Sequence, residues 1–87
     1  MTNDDDIQGL DADPLDWRTA QAVRAATGLE IADFARAVGV SRRTVNRWEQ
    51  PAELTRGTRC TGTARVLMVL IARNPSARAA LIQEATT

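Results

Sequence analysis

The hydrophobic residues in the first third of the chain recur with the spacing of an α-helix, after an opening segment that shows no period. Residues 1–12 are polar and acidic, which predicts a disordered tail. Asp13 and Pro14 then form a typical N-cap and first helical residue. We therefore predict a first helix from this pair to Thr27, because Gly28 is a typical helix stop.

Two further helices are predicted on either side of a short glycine turn. Four apolar residues spaced i, i+3, i+4 and i+7 predict the second helix over residues 30–38. They are Ile31, Phe34, Ala35 and Val38. Gly39 and Val40 form the turn, and Ser41 then caps a third helix, with Thr44 at its third position, that ends near residue 49.

The last part of the chain predicts a loop and two more helices. Residues 50–60 are polar and interrupted by proline and glycine, which is typical of a loop. Thr61 or Gly62 begins a fourth helix that ends near Arg73, and Asn74-Pro75 begins a fifth that reaches about residue 85. The pattern contains no strand, so we expect a compact all-α domain of five helices over residues 13–87.

Composition narrows the class of protein. With 87 residues, 44% of them hydrophobic, the chain has room for one small domain with one core. The longest apolar run, residues 66–72, is far below the ~20 residues of a membrane span, and we expect no signal peptide. Because there is no histidine and only one cysteine, the usual zinc ligands and catalytic groups are missing. We therefore expect a cytoplasmic protein that is not an enzyme and needs no metal or cofactor.

The net charge of zero conceals a strong asymmetry. Residues 1–16 contain six aspartates and no basic residue, a charge of −6, whereas residues 17–87 contain eleven arginines against five acids, a charge of +6. A basic body of this kind suggests a polyanionic partner. Every basic residue is arginine, which is suited to bidentate contacts with phosphate or guanine but can also reflect genome composition.

The predicted third helix carries three of the eleven arginines within seven residues. At 100° per residue its polar face carries Arg42, Arg43, Asn46 and Arg47. Its opposite face carries Val45 and Trp48, which we expect in the core. Arginine and asparagine read guanine and adenine edges in the major groove of DNA, although the same residues on an isolated helix could simply be a solvated face.

Residues 20–50 resemble the phage-repressor-like (Cro-type, XRE-like) helix-turn-helix family, which has the lambda-repressor-like fold. The matching elements are Ala22-Val23-Arg24, Gly28-Leu29, Asp33-Phe34-Ala35, Gly39-Val40-Ser41, Thr44-Val45 and Arg47-Trp48-Glu49. The resemblance implies that the third helix enters the major groove of double-stranded DNA. It also implies an internal ion pair between Arg24 and Glu49.

The residues expected to contact DNA lie mainly on the third helix. They are Ser41, Arg42, Arg43, Thr44, Asn46 and Arg47. Arg36, Arg56 and Arg59 are further candidates for the phosphate backbone, and each could instead only face solvent.

The chain departs from the family pattern at the start of the second helix and after the third. Glu30 and Ile31 occupy the positions where the family usually has a small hydroxyl residue and then glutamine, which meet the DNA backbone. Gln50-Pro51 and a long loop follow the third helix, where a glycine is common. A carboxylate at position 30 would repel a phosphate, so the contact of the second helix with DNA is expected to differ.

The fourth helix predicts a homodimer. It is apolar around most of its circumference, so it needs cover on several sides. The expected dimer contacts are Val66, Met68, Val69, Leu70 and Leu81. A two-fold dimer would present two recognition helices roughly 34 Å apart to an inverted repeat. The alternative is a monomer in which the fifth helix supplies all the cover.

Two other features have more than one interpretation. Cys60 is a small residue near a helix start or, if exposed with a lowered pKa, a redox switch. The acidic tail is a solubilising leader or a phosphate mimic, formed by Asp4 to Asp6, that competes for the arginine face.

These observations predict a sequence-specific DNA-binding transcriptional regulator. By resemblance, it is a homodimeric repressor of its own phage or mobile-element operon, a group that includes regulators beside anti-CRISPR genes and antitoxins. One alternative is an antitoxin-type module whose main partner is a toxin protein, bound through the acidic tail or the fourth helix. A second alternative is an architectural or directionality factor that bends DNA.

Overall fold

Five α-helices make up most of the chain in the computed structural model, which describes residues 7–51, 54 and 60–86. They are α1 (Trp17–Thr27), α2 (Ile31–Val38), α3 (Arg42–Trp48), α4 (Gly62–Arg73) and α5 (Pro75–Thr86). No strand occurs among the described residues, and the all-α prediction is confirmed. The radius of gyration, 12.0 Å, agrees with the value of about 12 Å expected for a compact domain of this length.

The predicted helix boundaries are mostly confirmed, because the capping residues act as expected. Gly28 and Gly39 end α1 and α2 in the left-handed conformation, with φ of 74° and 87°. The Ser41 hydroxyl oxygen accepts the Thr44 N–H at 3.0 Å and caps α3. The Asn74 side-chain oxygen accepts two backbone N–H groups in the first turn of α5, at 2.9 and 3.2 Å.

The predicted start of α1 is wrong by three residues. The helix begins at Trp17, and its cap is Asp16, whose carboxylate accepts the backbone N–H of Arg18 at 3.1 Å. The preceding residue, Leu15, is buried and extended, because its N–H donates to the carbonyl of Cys60 at 3.0 Å in an isolated β-bridge. This long-range contact prevents the helix from starting at Asp13.

The prediction of a tail over residues 1–12 is wrong for residues 7–12, and residues 1–6, including the aspartates at 4–6, lie outside the described residues. Leu10 is only 5% exposed and belongs to the core. Thr19 donates its hydroxyl to the Gln8 carbonyl at 2.7 Å, and Arg65 donates to the carbonyls of Leu10 and Ala12. The folded region therefore begins before residue 13.

The core lies where the five helices meet. Helix α2 packs against α3 and α5, and α4 packs against α1 and α5. The largest fully buried side chains are Phe34, Met68, Ile71, Val23, Val45 and Cys60. The face of α3 that carries Arg42, Arg43 and Asn46 lies outside this core and is exposed.

Candidate nucleic-acid interface

A three-residue turn sets the angle between α2 and α3. The N–H groups of Gly39 and Val40 both donate to the Ala35 carbonyl, at 2.9 and 3.0 Å. Gly39 takes a positive φ that residues with a side chain rarely adopt, and Val40 is half-buried against the core. The turn therefore joins two short helices through a fixed backbone geometry.

Helix α3 has one buried face and one exposed face. Val45 and Trp48 are buried, as the sequence predicts. On the opposite side Arg42, Arg43 and Asn46 are exposed. Because the inner face is anchored in the core, the outer face is presented on a rigid element.

Three exposed side chains of α3 make no polar contact of their own with the described part of the chain. Within the described ranges, no hydrogen bond or ion pair involves the side chains of Arg42, Arg43 or Asn46. Arg47 differs from them, because it is half-buried and already interacts within the chain. Two cationic groups and one amide are thus available to a ligand.

These three side chains share an open cleft with the start of α2. The cleft has a volume of about 770 Å³, and its lining residues are Arg24, Glu30, Ile31, Ala32, Arg42, Arg43 and Asn46. The first N–H groups of any helix lack intrahelical partners and carry partial positive charge. The cleft therefore combines two arginine side chains with the positive end of α2.

Arg24 and Glu49 form an ion pair beside this cleft, as the resemblance to the helix-turn-helix family implies. Arg24 Nε donates to Glu49 Oε2 at 2.6 Å, and Nη2 donates to Oε1 at 3.0 Å. Nη1 donates to the Leu29 carbonyl at 2.9 Å. The hydrogen bond to Glu49 is the main cause that raises the pKa of Arg24. Since all three nitrogen atoms of Arg24 already donate, its role in the cleft is structural.

The other predicted DNA-contacting residues have different surroundings. Ser41 caps α3 by accepting the Thr44 N–H, and the hydroxyl oxygens of these two residues also hydrogen-bond to each other at 2.9 Å. Arg36 is exposed, but it donates to the Ala85 carbonyl at 2.7 Å and lies 3.5 Å from Asp33. It thus secures the end of α5, a role that the sequence did not indicate. Arg56 and Arg59 lie outside the described residues.

A second surface lies on α4. Val66 and Leu70 are 60% and 48% exposed, and they line a groove of about 360 Å³ with Val69. Asp11, Arg65 and Arg73 add charge to the lining, which also includes Leu10. The groove shares no lining residue with the cleft of α3.

Not all of the predicted dimer contacts lie on this surface. Met68 is 1% exposed, so its assignment as a dimer contact is wrong: its side chain points from α4 into the core. Val69 and Leu81 are half-buried and pack against the same core. Leu10 and Asp11 also line the groove, which the sequence does not predict. Their segment has no helical periodicity from which packing against α4 could be inferred.

Cys60 lies in the core rather than on the surface. Burial raises the pKa of its thiol to about 11, although nearby Arg65 lowers it. Both observations weigh against the redox-switch hypothesis, which needs an exposed thiol with a lowered pKa. The described residues contain no group of three or more cysteine or acidic side chains that could hold a metal ion, and none of their helices could span a membrane.

Comparisons of the chain with protein-family models, with curated proteins and with solved structures found no match. The resemblance of residues 20–50 to helix-turn-helix repressors therefore stays a prediction.

Proposed function

We propose that the chain is a sequence-specific DNA-binding regulator that acts as a helix-turn-helix protein of the lambda-repressor-like type, with α3 as the recognition helix. The observation that carries this proposal is the set Arg42, Arg43 and Asn46 on one face of α3, which is exposed and makes no side-chain hydrogen bond or ion pair with the described residues. In the major groove, arginine donates two hydrogen bonds to guanine, and asparagine pairs bidentately with adenine. A seven-residue helix with these groups at its start has the chemistry to read a few base pairs.

The electrostatics of α3 favour a polyanion over simple solvation. The helix carries three arginines and no acid between Arg42 and Trp48. The carboxylate that follows it, Glu49, is already held by Arg24 and does not neutralise the outer face. Arg42 and Arg43 would attract the phosphates that flank the cleft, and the counterions released on binding supply affinity for any duplex.

The way in which α3 is held also supports base reading. Trp48 and Val45 fix the helix to the core, and the Arg24–Glu49 pair fixes its end to α1. Reading base edges requires side chains placed to within about 0.5 Å, which is easier from a supported helix than from a loop.

A second copy of the chain is the partner that we infer for the α4 groove. Its lining exposes the apolar side chains of Val66 and Leu70, which a two-fold related copy would cover. Asp11 and Arg73, which pair with each other within one chain, would then lie where they can also pair with their counterparts in the second copy. Because this groove and the α3 cleft share no residue, a dimer would leave both recognition helices free. Two such helices fit an inverted repeat with half-sites roughly 34 Å apart.

The regulatory role that we propose follows from the resemblance of residues 20–50 to helix-turn-helix repressors. A homodimer of this kind would repress its own phage or mobile-element operon by covering an operator. The exposed apolar residues Val66 and Leu70 also favour a second candidate function, an antitoxin-type module whose α4 groove holds a different protein. Co-purification of a co-transcribed neighbour in a fixed ratio would favour that candidate.

Selection of DNA sites tests the proposal. The purified chain is incubated with random duplexes at near-physiological salt with competitor DNA, and the retained duplexes are sequenced. We expect enrichment of an inverted repeat, and its loss for Arg43→Ala. The matched control is Arg18→Ala, which removes the same charge from an exposed arginine of α1 outside the cleft. If duplexes are retained without enrichment of any sequence, and the retention disappears as the salt concentration rises, the α3 face makes only phosphate contacts. This result would overturn sequence-specific recognition.

A further inference from the structure

One carboxylate lies inside the basic cleft. Glu30 is the N-cap residue of α2, and it lines the cleft together with Arg42, Arg43 and Asn46. Its side chain is exposed and makes no capping hydrogen bond to α2. In the described part of the chain it has no ion-pair partner either. No hydrogen bond or ion pair among the described residues therefore uses this acid, and its local contribution is limited to the favourable field at the start of α2 and to the electrostatic interaction with Arg24.

Without this acid the cleft would suit any phosphate. Its lining includes two guanidinium groups without a partner among the described residues and the first residues of an eight-residue helix, and such a combination binds oxyanions. The negative charge of Glu30 acts on other groups of the cleft, since its electrostatic attraction is among the causes that raise the pKa of Arg24. A phosphate entering the cleft would meet this carboxylate at the start of α2 and be repelled.

We propose that Glu30 is a specificity-determining residue that repels DNA phosphates from the α3 cleft. This inference rests on the proposed function, because it assumes that the α3 face binds DNA. Complexes with arbitrary DNA are held by phosphate contacts, so a carboxylate in the cleft removes one of their most favourable arrangements. At a matching site, base edges occupy the cleft and hydrogen-bond to Arg43 and Asn46, so no phosphate needs to enter. Glu30 therefore weakens non-specific binding more than specific binding.

The variant Glu30→Gln tests this inference on the full chain. Binding is measured by fluorescence anisotropy to a duplex of arbitrary sequence, over a series of salt concentrations, and to the site enriched by selection. We expect the affinity for the arbitrary duplex to rise roughly threefold to tenfold, as for the removal of one nearby like-charge repulsion. We also expect the plot of log binding constant against log salt concentration to become steeper by about 0.9, which is the change that one additional phosphate contact gives. The affinity for the enriched site should change less.

The matched control is Glu84→Gln, which removes the same charge from an exposed residue of α5 outside the cleft. Equal effects of the two variants would show that only the net charge matters and would overturn the inference. A loss of affinity for the enriched site in Glu30→Gln would also overturn it, because Glu30 would then accept a hydrogen bond from a base. Thermal unfolding of each variant checks that the fold is intact.

The same experiment separates this inference from the proposed function. If the wild-type chain enriches no sequence but Glu30→Gln binds arbitrary duplex more tightly and with a steeper salt slope, the cleft assignment stands and sequence-specific recognition fails. If neither protein binds any duplex, both fail. If the wild type selects a site and the variant binds arbitrary duplex no better than Glu84→Gln, only the role of Glu30 fails.

Discussion

The guanidinium of Arg24 and the carboxylate of Glu49 join α1 to the residue that follows α3, through two hydrogen bonds of 2.6 and 3.0 Å. The Glu49 side chain is 5% exposed and that of Arg24 19%, so neither group could regain full hydration if its partner were removed. We expect Glu49→Ala to lower the free energy of unfolding by about 3 kcal/mol, because it leaves a largely buried cation unpaired. Urea unfolding followed by circular dichroism measures this loss.

A second ion pair in the same protein provides the control for this prediction. Arg73 lies 3.3 Å from Asp11, but both side chains are largely exposed, so Asp11→Ala should change stability little. The double variant Arg24→Ala/Glu49→Ala should be less destabilised than the sum of its single variants. A stability loss for Glu49→Ala no larger than that for Asp11→Ala would contradict a structural role for the pair.

The side chains of Arg43 and Asn46 should determine sequence preference without affecting stability. Each is exposed and unengaged by the described residues, so Arg43→Ala and Asn46→Ala should leave the unfolding free energy within about 0.5 kcal/mol of the wild type. Each should cost about 1–3 kcal/mol of discrimination between the selected site and one altered at a single base pair. Competition binding measures this ratio. Unchanged discrimination in both variants would remove the two residues from base reading.

Local rules predicted most helices, because their ends depend on neighbouring residues. Gly28, Gly39, Ser41 and Asn74 each act through backbone groups within four residues, so their caps were visible in the sequence. The faces of α3 followed equally from helical periodicity, since Val45 and Trp48 are buried opposite Arg42 and Arg43.

The errors arise where distant contacts override local signals. The bridge between Leu15 and Cys60 keeps Leu15 extended, so α1 begins only at Trp17. Neighbouring residues in the sequence do not indicate that these two distant residues pair. Met68 looked like one more apolar residue on a uniformly apolar helix, and only the packing of α4 against α1 and α5 reveals which side is inward. Arg36 likewise finds the Ala85 carbonyl 49 residues away along the chain.

Leu10 should contribute to stability although it lies in a segment without helical period. Its side chain is in the core, and Arg65 donates to its carbonyl at 3.2 Å. We expect Leu10→Ala to lower the free energy of unfolding by about 2–4 kcal/mol, the usual loss for truncating a buried leucine. Chemical denaturation measures it, with Ala12→Gly at an exposed position of the same segment as control. An effect below about 0.5 kcal/mol would contradict the packing of residues 7–12.

The α4 groove predicts the oligomeric state of the chain. Leu70→Glu places a charge in the apolar part of the groove, where a second copy would have to bury it, so we expect a shift from dimer to monomer with the fold retained. Sedimentation velocity over a range of concentrations measures the shift. Ala79→Glu, at an exposed position of α5 outside the groove, is the control. A wild-type chain that stays monomeric at high concentration would contradict a second copy as the occupant of the groove.

Alkaline pH isolates the ionisation of a single side chain in this protein. The sequence contains no histidine, no tyrosine and no lysine, since all eleven basic residues are arginines. Arginines and carboxylates do not titrate between pH 9 and 11, and the α-amino group loses its proton below this range. Any change of folding stability in this window therefore reports mainly on Cys60.

We expect the free energy of unfolding to fall as the pH rises from about 9 to 11. The ordinary pKa of the thiol is 9.0, and burial in the folded protein raises it to about 11, so in this window the unfolded chain binds fewer protons than the folded one. The loss should reach about 2 kcal/mol by pH 11 and change little above it, as a shift of this size implies. Urea unfolding at half-unit pH steps measures the curve. Cys60→Ala should be less stable at pH 7, through loss of packing, but should show a flat profile between pH 9 and 11; an equal decline in that variant would assign the effect to another group.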